Sequence, residues 1–177
     1  MWSLLLVVVS VLGTGADLET PSSGGPAAFE RMHDLVGEWR GSFTWTGARA
    51  DKGSMGARYY LTGNGSALVE DLLSDGTPTM TTVYHLDGED LRMTHYCGAR
   101  NQPRLKARAI DLKRGVVSFA FVDATGLRSA DSPHVRGSEI DMVDADHLTI
   151  SFEFVAGERV STEVISLERV PGSPPSH

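Results

Sequence analysis

His95 and Cys97 stand two residues apart, with Tyr84 before them and Asn101 and Arg104 after, in the stretch TMTTVYHLDGEDLRMTHYCGARNQPR from Thr79 to Arg104. A neutral imidazole can act as a general base near pH 7, a thiol becomes a nucleophile when its pKa is lowered, and a guanidinium grips a carboxylate through two hydrogen bonds. Two residues along a strand separate side chains by about 7 Å. That is long for an immediate thiolate–imidazole pair, and no acidic residue is fixed as an orienter, so no catalytic residue is assigned. A packed thiol beside a hydrogen-bonded His is the expectation. Metal binding needs three or four converging ligands, and the chain has neither His-x-His nor Cys-x-x-Cys. No metal site and no cofactor are therefore expected.

These residues are positioned by a hairpin. Residues 80–86 and 91–97 are rich in Thr, Val, Tyr, Leu and Met, and Asp87-Gly88-Glu89-Asp90 between them supplies a turn tolerant of positive φ. A tight antiparallel turn pairs residues of constant sum: Leu86 with Leu91, Tyr84 with Met93, Thr82 with His95, Met80 with Cys97. These eight share one face, the more apolar, and are expected to point inward, while His85, Arg92, Val83, Thr94, Thr81 and Tyr96 point out. Buried Tyr84 and His95 need hydrogen-bond partners. Glu70 is either inward, opposite Arg104, or outward; a tight Ser74-Asp75-Gly76-Thr77 turn places Val69 inward and Glu70 outward.

The chain has 177 residues, 22% charged and 41% hydrophobic, as in ordinary soluble domains. Its net charge of −7 argues against a nucleic-acid partner, which needs a clustered basic face. The apolar run 2–12 and the small residues after it read as a signal peptide over 1–16, too short to span a bilayer as a helix. The chain is expected to be exported, to the periplasm or beyond. A flexible linker over 17–27, one domain over 28–170 and a disordered Pro-rich tail over 171–177 complete the organisation. The one Cys cannot form an internal disulfide, so the fold rests on its core.

Phe29, Met32 and Leu35 have helical spacing, predicting a short helix over 27–35. The strand at 38–45 alternates Trp39, Gly41, Phe43 and Trp45 with polar residues, and further strands are expected at 55–61, 67–73, 80–86, 91–97, 104–112, 116–122, 136–143, 147–155 and 159–169. A continuous meander of this kind removes its edges by closing into a barrel. The fold class is therefore all-β, a single up-and-down antiparallel barrel of about 8–10 strands with a short N-terminal helix.

Gly37-x-Trp39, after a short helix and before many strands, resembles the lipocalin and fatty-acid-binding-protein (calycin) superfamily, where it implies that Trp39 closes the barrel floor. Residues 94–97 and 101–104, Thr-His-Tyr-Cys and Asn-Gln-Pro-Arg, are similar to segments of uncharacterised bacterial secreted proteins of lipocalin-like type, which implies fold and a binding role only. Nitrobindin-like barrels, related in shape, bind haem through one inward His, and on that likeness His95 is the haem candidate; that family's ligand pattern near the C-terminus is not found here.

The function expected is binding of a small apolar or amphipathic molecule inside the barrel. Trp39, Tyr59 or Tyr60, Met80, Tyr84, Met93, His95 and Cys97 are the candidate lining, with Asn101 and Arg104 near one mouth. The alternatives are a haem-binding barrel using His95, an enzyme with His95 as general base, and a filled structural barrel.

Overall fold

Among the described residues, one short helix and ten strands follow one another. The computed structural model describes residues 24–172. Helix α1 (Gly25–Met32) and a 3-10 turn (His33–Leu35) precede β1 (Gly37–Gly47), β2 (Asp51–Thr62), β3 (Ala67–Ser74), β4 (Thr77–Asp87) and β5 (Asp90–Tyr96). Then come β6 (Gln102–Asp111), β7 (Val116–Thr125), β8 (His134–Asp141), β9 (His147–Ala156) and β10 (Arg159–Arg169). The signal segment, residues 17–23 of the linker and residues 173–177 of the tail lie outside the described residues. The helix begins at Gly25, earlier than expected, because Pro26 suits the first turn and Gly25 packs on the Glu89 carbonyl where a Cβ would not fit.

Each strand pairs antiparallel with the next, and β1 pairs with β10, so the barrel is closed and up-and-down. At the closing seam Gly41 pairs with Leu167, and a Cβ there would run into the Ser166 carbonyl oxygen. Closure leaves no unpaired edge for another chain to extend. No helix among the described residues is long and apolar enough to cross a membrane.

The 85–92 hairpin has the register its turn dictates: Leu86 faces Leu91, Tyr84 faces Met93 and Thr82 faces His95. Between β3 and β4 the register shifts. Ser74 pairs with Thr77 and Leu73 with Pro78, yet Leu72 pairs with Met80, leaving Thr79 as an extra residue that donates from Oγ1 to the Leu72 carbonyl at 3.2 Å. A one-residue bulge turns a strand's faces over. Glu70 is consequently inward and fully buried, and the expectation that it points to solvent is corrected.

One end of the barrel is plugged by α1. Ala28, Phe29, Met32 and Leu35 are buried there against the core, each large apolar side chain contributing about 1.5–3 kcal/mol. Trp39 lies beneath them with its indole N–H on the Leu35 carbonyl at 2.8 Å, and the Arg169 guanidinium covers its ring at 4.2 Å. Arg169 also donates to the carbonyls of Val36, Asp34 and Ala145 at 2.9, 2.6 and 2.8 Å, tying β10 to the floor.

Candidate functional site

Above the floor, one polar network crosses the apolar interior. Glu70 on β3, fully buried, accepts hydrogen bonds from the Tyr59 hydroxyl on β2 (2.6 Å) and the Tyr84 hydroxyl on β4 (2.9 Å), both at Oε2. Its Oε1 accepts from the Thr82 hydroxyl at 3.2 Å, and Thr82 Oγ1 lies 2.9 Å from His95 Nδ1 on the neighbouring β5. Burial raises the Glu70 pKa above the ordinary carboxylate value, opposed by the three hydroxyl donors. Burial and the Glu70 charge push both tyrosines well above the ordinary phenol value, so they remain donors.

The network fixes what His95 shows to its surroundings. A hydroxyl carries one proton. While Thr82 gives its proton to Glu70, it must accept from His95 Nδ1–H, and Nε2 is then a bare acceptor. Desolvation lowers the His95 pKa to about 4, so the ring is neutral at pH 7. Among the described residues no hydrogen bond is made to Nε2, and His95 lines a cavity at the open end of the barrel.

That cavity has a volume of about 280 Å³ and lies among Phe43, Trp45, Met55, Met80, Phe152 and Phe154, with Val135 and the 98–99 backbone at its rim. Two inward groups besides His95 can do chemistry in it, Cys97 and Glu163, and the exposed Arg49 guanidinium reaches it from the rim. Cys97 is half-buried, and desolvation raises its pKa, leaving a thiol rather than a thiolate. Its Sγ accepts from the Ala99 N–H at 3.5 Å, and no hydrogen bond joins it to His95 among the described residues. The pair is thus not arranged as nucleophile and base. Glu163 on β10 is 4% exposed, and burial among apolar walls raises its pKa to about 7.

Of the residues expected to line a pocket, Met80, His95 and Cys97 do line this cavity. Trp39, Tyr59, Tyr84 and Met93 are buried in the filled half below it, in the core and the polar network. Asn101 is 2% exposed and ties the 126–133 loop down, donating from Nδ2 to the Pro133 carbonyl at 2.7 Å. Arg104 is on the outer wall, where its guanidinium pairs with Asp123 (Nη2 to Oδ2, 2.7 Å), because its register partner Thr94 faces out. The placement of Arg104 at the mouth is therefore corrected. Arg104→Ala is expected to leave the cavity unchanged, which a titration following Trp45 fluorescence checks against wild type.

Glu163, Trp45 and Phe152 were missed as lining residues. The signal was available in Ser161, Glu163, Ile165 and Leu167, which alternate inward along β10 with a carboxylate on the apolar row. Three larger grooves, about 590, 530 and 480 Å³, lie outside the barrel interior, the first two lined mainly by residues such as Arg136 and Glu153 or Arg40 and Glu168, the third by Arg31, Asp34, Asp144 and Arg169. They gather none of the inward polar groups, so the mouth cavity is the candidate site.

Pockets for drug-sized ligands span about 300–1,000 Å³, so this cavity of about 280 Å³ is at the small end of that range, and among the described residues His95 is the one imidazole in its lining. No cluster of three or more ligating side chains is present among the described residues.

No family model matches the chain, and no curated protein matches it. Among solved structures it is similar to a protein of unknown function from the DUF3598 family of Nostoc punctiforme PCC 73102, at 20% identity and a TM-score of 0.55. The match covers 78% of this chain and 49% of that one, so the chain spans about half the length of that neighbour. It is also similar to Rv2717c from M. tuberculosis, at 15% identity and a TM-score of 0.56, covering 81% of this chain and 97% of that one. The likeness is one of fold. Both neighbours are barrels to which the closed ten-stranded meander corresponds, and at such identities their sites do not transfer.

Proposed function

We propose that this chain is an exported calycin-type barrel that binds a small, largely apolar molecule in the cavity at its open end. The observation that carries the reading is the contrast between the two halves of the interior. The floor half is filled by its own side chains, whereas the mouth half retains a cavity of about 280 Å³ with aromatic walls and a few inward polar groups. Mostly apolar walls with a small number of placed polar groups are the composition of small-molecule sites. The size sets the ligand at the small end of that range.

Native mass spectrometry of the full chain, with and without the cavity-filling substitution Met80→Trp, tests this. A bound small mass is expected in the wild type and is expected to be lost in Met80→Trp, while circular dichroism shows the barrel intact. Equal retention in both proteins, or no bound mass together with no uptake of small aromatic probes, overturns the reading in favour of a filled structural barrel.

A general-base role for His95 is the second reading: the Glu70–Thr82 chain behind the ring orients a neutral imidazole with a free Nε2, although burial that lowers its pKa to about 4 makes it a weak base at pH 7. It requires turnover that vanishes in His95→Gln; uptake without turnover leaves the binding reading alone.

A further inference from the structure

We propose that the ligand of the mouth cavity carries a protonated amine on a small apolar body, and that Glu163 holds the amine. This rests on the reading of the cavity as a ligand site, and it follows from the cavity's unbalanced polar groups. Glu163 is inward on β10, opposite Trp45 on β1 and Phe152 on β9. Among the described residues the Glu163 carboxyl accepts a side-chain hydrogen bond from Trp45, which leaves it acceptor capacity toward the cavity.

Among the described residues the cation that favours ionised Glu163 is Arg49, and its ion pair is with Asp51 rather than with the Glu163 carboxyl. Arg49, in the turn after β1, is half exposed, stacks at 4.2 Å on the Trp45 ring and pairs with Asp51 at 3.3 Å, so it serves the rim. From β5 the cavity receives His95, a neutral ring, and Cys97, a thiol; β9 contributes only Phe152 and Phe154. A buried carboxylate without a paired cation is costly. Glu163 therefore waits partly protonated, with a pKa of about 7, and a cationic ligand would ionise it fully.

The remaining surfaces agree with that charge. Four aromatic rings, Phe43, Trp45, Phe152 and Phe154, line the cavity, and aromatic faces attract ammonium groups within about 6 Å. His95 offers Nε2 as a second acceptor while Thr82 donates to Glu70. An ammonium has several N–H donors to meet both acceptors, whereas a carboxylate ligand would be repelled by Glu163.

The test compares phenethylamine, phenethyl alcohol and phenylpropionate by isothermal titration calorimetry on the full chain at pH 7. The amine is expected to bind at least ~10-fold more tightly than either isostere, the scale of one charge-assisted contact. Titration in buffers of different ionisation enthalpy is expected to show release of about half a proton per amine bound, since Glu163 is about half ionised at pH 7. In Glu163→Gln the preference for the amine disappears with alcohol binding retained, and in Glu163→Asp it is partly kept. Equal or better binding of the alcohol or the acid overturns the amine inference and leaves the cavity as a ligand site. Retention of the preference in Glu163→Gln overturns the role of Glu163, and failure of all three probes to bind overturns both readings.

Discussion

Glu70→Ala is expected to destabilise the barrel by about 2–6 kcal/mol, because it removes the acceptor that the buried Tyr59 and Tyr84 hydroxyls share, at about 1–3 kcal/mol for each, while Thr82 can turn its proton to His95 Nδ1. Against a total stability of about 5–15 kcal/mol for a domain, this is a large fraction. Urea denaturation followed by circular dichroism measures it; a loss below about 1 kcal/mol would show that the network is not what holds Tyr59 and Tyr84. Glu70→Gln separates stability from signalling. The Gln oxygen can still accept from the two tyrosines, while its amide group donates to Thr82, which must then donate to His95 Nδ1. The ring is forced into its other tautomer and presents Nε2–H to the cavity. Nitrogen-15 NMR of the imidazole reads this directly, and an unchanged tautomer would break the proposed link from β3 to the mouth.

The second large effect concerns pH, and it comes from two groups pulling in opposite directions. The folded-state pKa of His95 is about 4, below its ordinary 6.5, so the stability from its neutral ring is whole above pH 6.5 and is lost as pH falls toward 4. The folded-state pKa of Glu163 is about 7, above its ordinary 4.5, so the stability from its protonated form is whole below pH 4.5 and is lost as pH rises through 7. Between pH 7.5 and 4.5 each change is worth about 2–3 kcal/mol at about 1.4 kcal/mol per pKa unit, and in the wild type they nearly cancel. Glu163→Gln exposes the His95 limb and is expected to lose about 2–3 kcal/mol on acidification relative to wild type. His95→Gln exposes the other limb and is expected to gain a similar amount. Urea midpoints at the two pH values decide it; parallel profiles in wild type and both variants would mean that neither group is buried as the structure places it.

Much of the fold is local in origin. Asp87-Gly88 and the alternation on either side fix the β4–β5 pairing because a short turn permits one register, and the pairing of Thr82 with His95 follows from that. The succession of short strands and turns likewise implies a meander, whose cheapest way to hide its edges is to close. The candidate site was less legible. His95, Cys97 and Met80 belong to the hairpin and were found with it. Glu70 was misplaced because a single bulge at Thr79 inverts the β3 face, although Pro78 beside it was a cue, since Pro within sheets is confined to edges, strand starts and bulges.

The amino-acid order alone therefore specified the strands, the turns, the hairpin register and the all-β class, since these depend on contacts between residues near in the chain and on a two-residue periodicity. The tertiary structure alone decided which residues meet at the mouth. Glu163 and Trp45 come from β10 and β1, which touch only when the first and last strands pair, and His95 joins them from across the barrel. It also decided that the floor is filled while the mouth is not, because filling depends on how side chains from ten strands share one volume, and no local pattern encodes that sum.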